Sequence, residues 1–115
     1  MSISNLLAVL CVADMDTARN WYTQLLGRDP DRTPMPESNE WQVTEGGWLQ
    51  VVKDPTHAGQ SIVTLNVDDL ERVSAEFAGR GVEIGGINEV NQFKIAAVRD
   101  PDGNTLTFSE VKPAG

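Results

Sequence analysis

Leu10–Gly27, LCVADMDTARNWYTQLLG, and Leu65–Gly81, LNVDDLERVSAEFAGRG, are the stretches on which the fold turns. A shift of 55 positions lays Leu10 on Leu65, Val12 on Val67, Asp14 on Asp69, Met15 on Leu70 and Tyr22 on Phe77. Each stretch reads as the end of a strand, an aspartate that caps a helix, and a helix whose apolar residues recur at intervals of three and four. Gly27 stops the first helix; Gly79 and Gly81 stop the second. A unit that returns at a fixed offset points to internal duplication.

Working outward, the apolar run Leu6 to Val12 is the strand that feeds the first helix. After Gly27 the Pro-rich stretch PDRTPMPESNE reads as a loop, followed by WQVTE and WLQVV, two strands that turn at Gly46 and Gly47. In the second half SIVTLNV opens the unit, and EIGGINEV, FKIAAV and NTLTFSEV read as three strands, with DPDG as the last turn. There the offset becomes 57, so Trp48 falls on Thr105 and Gln50 on Thr107. The expected fold is α+β: two tandem βαβββ modules, about residues 1–53 and 61–112, joined by a linker at 54–60 in a single domain, 1–115. Their curved mixed sheets are expected to surround a pocket.

Strand parity assigns the faces of those sheets. With Ala8, Leu10 and Val12 under the first helix, and Val63, Leu65 and Val67 under the second, the opposite face carries Trp48, Gln50, Thr64, Asn66, Thr105 and Thr107. These six, with Trp41 across the Gly46–Gly47 turn, are the candidate ligand-binding residues. Indole faces can stack on a planar or cationic molecule, and the neutral side chains can orient it by hydrogen bonds.

Composition bounds the function. A chain of 115 residues, 40% hydrophobic, supports one modest core. A net charge of -8 opposes binding to a phosphate backbone, so nucleic acid is not an expected partner. No apolar run is long enough to cross a bilayer and the N-terminus lacks the features of a signal peptide, so a soluble cytoplasmic protein is expected. Cys11, the single cysteine, allows neither an intramolecular disulfide nor a cysteine-based zinc site. It has no recognisable histidine partner either. Asp14 and Asp69 read as caps, and the aspartates of DPDGN as residues that bond their own backbone. Catalytic residues are therefore left unassigned.

Three segments, LCVADMDTARNWYTQLLG, LNVDDLERVSAEFAGRG and VRDPDGNTLTF, together with the twice-repeated strand and helix order, resemble the vicinal oxygen chelate superfamily. That superfamily includes glyoxalase I, bleomycin-resistance proteins, fosfomycin-resistance enzymes and extradiol dioxygenases. The resemblance implies metal ligands on the pocket-facing side of the first and fourth strands of each module, and those positions here are Leu7, Gln50, Ile62 and Thr107. Leucine and isoleucine have no donor atom, whereas a catalytic divalent site needs imidazole or carboxylate ligands. A two-fold partner would bring only the same residues again. The expectation is a homodimer without metal or cofactor that binds or sequesters a small molecule, a drug or a metabolite. The alternatives are a metal-dependent lyase, isomerase or dioxygenase with a displaced site built from His57 and carboxylates, and a module that acts only by pairing with another chain.

Overall fold

The alternating run Leu6–Val12 forms strand β1, and Asp14 turns the chain into helix α1, Met15–Leu26, in the computed structural model, which describes residues 2–113. The Asp14 carboxylate accepts from the Asp16 N–H at 3.3 Å and the Thr17 hydroxyl at 2.6 Å, satisfying an amide that the first turn leaves without a helical partner. Gly27 closes the helix in the left-handed conformation, φ 76°, with its N–H on the Thr23 carbonyl. A side chain there would be strained.

Strands β2 (Arg32–Met35), β3 (Ser38–Thr44) and β4 (Gly47–Lys53) complete the first module as a sheet of order β1-β4-β3-β2. β1 runs parallel to β4 and the other pairs are antiparallel. The Pro-rich stretch is thus not a loop throughout: it holds β2 and the start of β3. Its prolines are tolerated because β2 is the outer strand, where a missing N–H breaks no ladder.

The second module repeats the plan with β5 (Ile62–Asn66), helix α2 (Leu70–Gly79), β6 (Asn88–Val90), β7 (Phe93–Arg99) and β8 (Thr105–Val111), in the order β5-β8-β7-β6. Two boundaries differ from expectation. The stretch from Glu83 to Ile87, with Gly85 and Gly86 inside it, is not a strand, so β6 has only three residues. Helix α2 includes Gly79 and is closed instead by Arg80 and by Gly81 at φ 83°. The ends of the 1–115 span, Met1, Ala114 and Gly115, lie outside the described residues.

The parity reading holds. Leu10, Val12, Leu49 and Val51 are buried beneath Ala18, Tyr22 and Leu25 of α1, and Leu106 and Phe108 beneath Leu70 and Phe77 of α2, in one continuous apolar cluster. Full burial of each large aliphatic or aromatic side chain contributes roughly 1.5–3 kcal/mol.

Polar contacts stitch the modules together around the DPDGN turn. The buried Asp100 carboxylate accepts from the Tyr22 hydroxyl at 2.7 Å and from the amides of Asp102 and Asn104. The Asn104 side chain donates to the Cys11 carbonyl at 2.7 Å, while Ala13 N–H donates to Asp102 at 3.1 Å. Asp100 therefore bonds its own turn as expected, but Asp102 reaches the other module. Arg80 adds a further tie, donating to the Gln24 and Leu25 carbonyls at 2.9 and 2.7 Å and so capping the C-terminal end of α1 from α2.

Candidate functional site

Register decides which side chains meet on the face that α1 does not cover. Leu7 lies opposite Trp48 and Val9 opposite Gln50 on one side of β4, and Glu40 lies opposite Gln50 on the other. The guanidinium of Arg32, itself opposite Glu40, sits over the Trp48 ring with Cζ 4.0 Å from the centroid. Its Nε donates to one Glu40 oxygen, and the second oxygen accepts from Gln50 Nε2 at 2.9 Å. Gln50 also reaches the Ser38 hydroxyl at 3.3 Å, and Trp48 Nε1 donates to Asn5 Oδ1 at 3.1 Å. Glu40 is only 3% exposed, so this is a buried carboxylate covered by a stacked cation.

Neither Arg32 nor Glu40 is among the ligand-binding candidates read from the sequence. The signal that points to Glu40 is parity: it alternates with Trp41, so if one faces the helix the other does not. Arg32 carries no such signal, because its strand was read as loop.

Trp41 is the correction on the other side. The ladder pairs it with Leu49, not with Gln50, which places it on the helix-covered face. It is fully buried, its ring centroid is 5.9 Å from that of Tyr22, and its Nε1 donates to the Arg28 carbonyl at 3.0 Å. Trp41 is a core residue and lines no groove.

In the second sheet Thr64 lies opposite Thr107, Asn66 opposite Ser109 and Ile62 opposite Thr105. The Ser109 hydroxyl donates to Asn66 Oδ1. This helix-free face carries neutral hydroxyls, the amide of Asn66 and exposed apolar residues, with Ile62 76% exposed.

A cleft of about 500 Å³ opens between the two modules. It brings together Trp48, Thr64 and Asn66 from the sequence candidates, against apolar walls from Leu26, Leu49, Val63, Leu65, Val73 and Phe77. Gln50, Thr105 and Thr107 do not line it; they stay on the helix-free faces of their sheets. The cleft therefore draws on helix-facing side chains that parity alone assigns to the core.

The residues at the inherited metal positions do not suit a divalent ion. Leu7 and Ile62 offer no donor atom, and the Gln50 amide is engaged by Glu40 and Ser38. His57 bonds through Nδ1 to Asp54 at 2.8 Å, a contact that holds the Asp54 carboxyl below its usual range. No second carboxylate joins that pair among the described contacts. Asp69, Glu71 and Glu110 converge elsewhere, but Lys94 bonds Glu71 at 3.0 Å and the Leu70 amide bonds Glu110 at 2.7 Å. Burial first, and the charge of Asp54 second, push the Cys11 thiol up, which disfavours the thiolate that a nucleophile requires.

A family model described as the Glyoxalase/Bleomycin resistance protein/Dioxygenase superfamily matches residues 5–108. A glyoxalase / bleomycin resistance protein from Catenulispora acidiphila DSM 44928 is 38% identical, over 93% of this chain and 97% of that one, with a TM-score of 0.87. TnmS3, an antibiotic binding protein from Streptomyces sp. CB03234, is 25% identical over 97% of this chain and 99% of its own, with a TM-score of 0.79. The bleomycin-binding protein of bleomycin-producing Streptomyces verticillus, solved with copper(II)-bleomycin, shares the fold at 18% identity, 99% coverage of both chains and a TM-score of 0.79. No curated protein matches the chain by sequence.

Proposed function

The chain belongs to the Glyoxalase/Bleomycin resistance protein/Dioxygenase superfamily, and on that premise we propose that it binds and sequesters a small organic molecule, a drug or a metabolite, without a metal ion. The observation that carries this reading is the cleft of about 500 Å³, apolar along its walls, with Trp48 among its lining residues. Drug-sized ligands occupy cavities of roughly 300–1,000 Å³ with this kind of lining and a few polar groups. The likeness to an antibiotic binding protein at 25% identity supports a binding role. The side chains at positions 7, 50, 62 and 107 support a metal-free one.

The working form is a homodimer in the cytoplasm. Val9, Ile62, Val90 and Val111 are large apolar residues exposed on the described surface, and a second copy would cover such residues. No helix is long and apolar enough to cross a membrane.

The test is a thermal-shift and calorimetric screen of aromatic and cationic compounds. A hit is expected to bind equally with and without a chelator, and Trp48→Ala to weaken it by about tenfold, the equivalent of one lost ring contact near ~1.4 kcal/mol. A stoichiometric divalent ion whose removal abolishes binding, or a screen with no hit in either class, overturns the proposal.

A further inference from the structure

We infer that Arg32 is an internal stand-in for the ligand: Trp48 and Glu40 form a receptor for a flat organic cation of the amidinium or guanidinium class, and Arg32 must leave it before such a ligand can bind. This inference rests on Trp48 being part of the binding site, and it adds the chemical class and the means of control.

Glu40 is the buried anionic end of this constellation. A carboxylate that is 3% exposed in the middle of a sheet is costly unless a cation pairs with it. The cation here is a guanidinium held in two ways at once, by Nε on the carboxylate and by its face over the indole. An aromatic face beside a carboxylate is a receptor for flat cations, since stacking and charge pairing act on the same plane. Gln50 and Asn5 fix the receptor from behind, the first holding the other Glu40 oxygen and the second the indole N–H.

The occupant is held less firmly than the receptor. Glu40 and Trp48 stand on β3 and β4, paired along most of their length, whereas Arg32 stands on the four-residue outer strand β2. All four residues of β2 are exposed, and its register with β3 is broken between Arg32 and Met35. The Arg32 side chain remains 52% exposed and can swing outward without disturbing the core.

The second module lacks this device. At the offset that lays Trp48 on Thr105 and Gln50 on Thr107, Ala97 takes the place of Glu40, since it pairs with Thr107 as Glu40 pairs with Gln50. The aromatic, the acid and the cation are thus confined to one copy of a duplicated scaffold, so folding the βαβββ unit does not require them. The net charge of -8 further favours a cationic ligand.

The test compares benzamidine, a flat cation, with its neutral isostere benzamide by calorimetry on the full chain. An intramolecular competitor lowers the apparent affinity of any occupant in proportion to the fraction of time it sits in the site, so Arg32→Ala is expected to tighten benzamidine by about tenfold or more and to prefer it over benzamide by about tenfold or more. Adding Glu40→Gln to that variant is expected to abolish the gain. Because Arg32→Ala leaves a buried carboxylate unpaired, Arg32→Gln serves as a second variant, expected to bind benzamidine with the same preference while retaining the wild-type far-UV circular dichroism. No gain for benzamidine in either variant, or no preference for benzamidine over benzamide in them, overturns the inference. A ligand from the broader screen that depends on Trp48 but not on Arg32 or Glu40 also overturns it, yet leaves the proposed binding function standing.

Discussion

The two modules descend from one pattern but are not packed alike. Leu10 and Val12 of β1 are fully buried, whereas their counterparts Leu65 and Val67 are half-buried and line the cleft. Tyr22 is buried beside Trp41 and sends its hydroxyl to Asp100 in the other module, while its counterpart Phe77 packs within its own module, its ring centroid 5.0 Å from that of Phe108. The first module has become the dense half that holds a charged platform on its free face. The second is the open half that supplies one wall of the cleft. Matched sequence parity sets which way a side chain points; what lies beyond it decides whether it is buried.

The largest test of this contrast is the pair Leu10→Ala and Leu65→Ala. The first should cost about 2–5 kcal/mol in urea unfolding, and the second roughly half as much, because its neighbourhood is already open. Equal losses would break the comparison. Tyr22→Phe comes next, at about 1.5–3 kcal/mol for a hydrogen bond to a charged group. Burial first, and the Asp100 charge second, push the Tyr22 hydroxyl far above its ordinary value. The folded state then keeps a proton that the unfolded chain releases above about pH 10, so this contribution is complete below that pH. Above it, stability falls by about 1.4 kcal/mol per pH unit. Tyr22 is the one tyrosine in the chain, so Tyr22→Phe should remove that phenolic slope from an alkaline unfolding series.

The helix caps sharpen the comparison from the side where the halves agree. Asp14→Ala and Asp69→Ala should each cost about 1 kcal/mol in thermal unfolding, since each carboxylate accepts a first-turn amide. The smallest effect separates the halves again at their helix ends. Gly79→Ala should stabilise by about 0.5–1 kcal/mol, because a Cβ there meets nothing within 4 Å. Gly27→Ala should lose a similar amount, its φ of 76° and the Arg80 guanidinium both opposing a side chain.

What the sequence made legible follows from the range of the forces involved. The faces of β1, β4, β5 and β8 could be read because a period of two, repeated at a fixed offset, leaves little freedom. β2 could not, since its four residues are all exposed and include Pro34, with no apolar period to mark them. The face on which Trp48 lies was visible from parity alone, but its partners Arg32 and Glu40 depend on cross-strand register. Trp41 misled because a position beside a turn says nothing about which face the ladder will choose. A pocket was expected, but its helix-facing lining was hidden for a further reason: it arises from the docking of one module on the other, and no local pattern encodes that.

The stitches across the modules join residues far apart in the chain, Tyr22 to Asp100 over 78 positions and Cys11 to Asn104 over 93. The covalent passage through residues 54–60 is therefore not what holds the halves in place once they have met. Two shorter polypeptides, divided in that passage and expressed separately, carry matching surfaces and should reassemble into the intact shape.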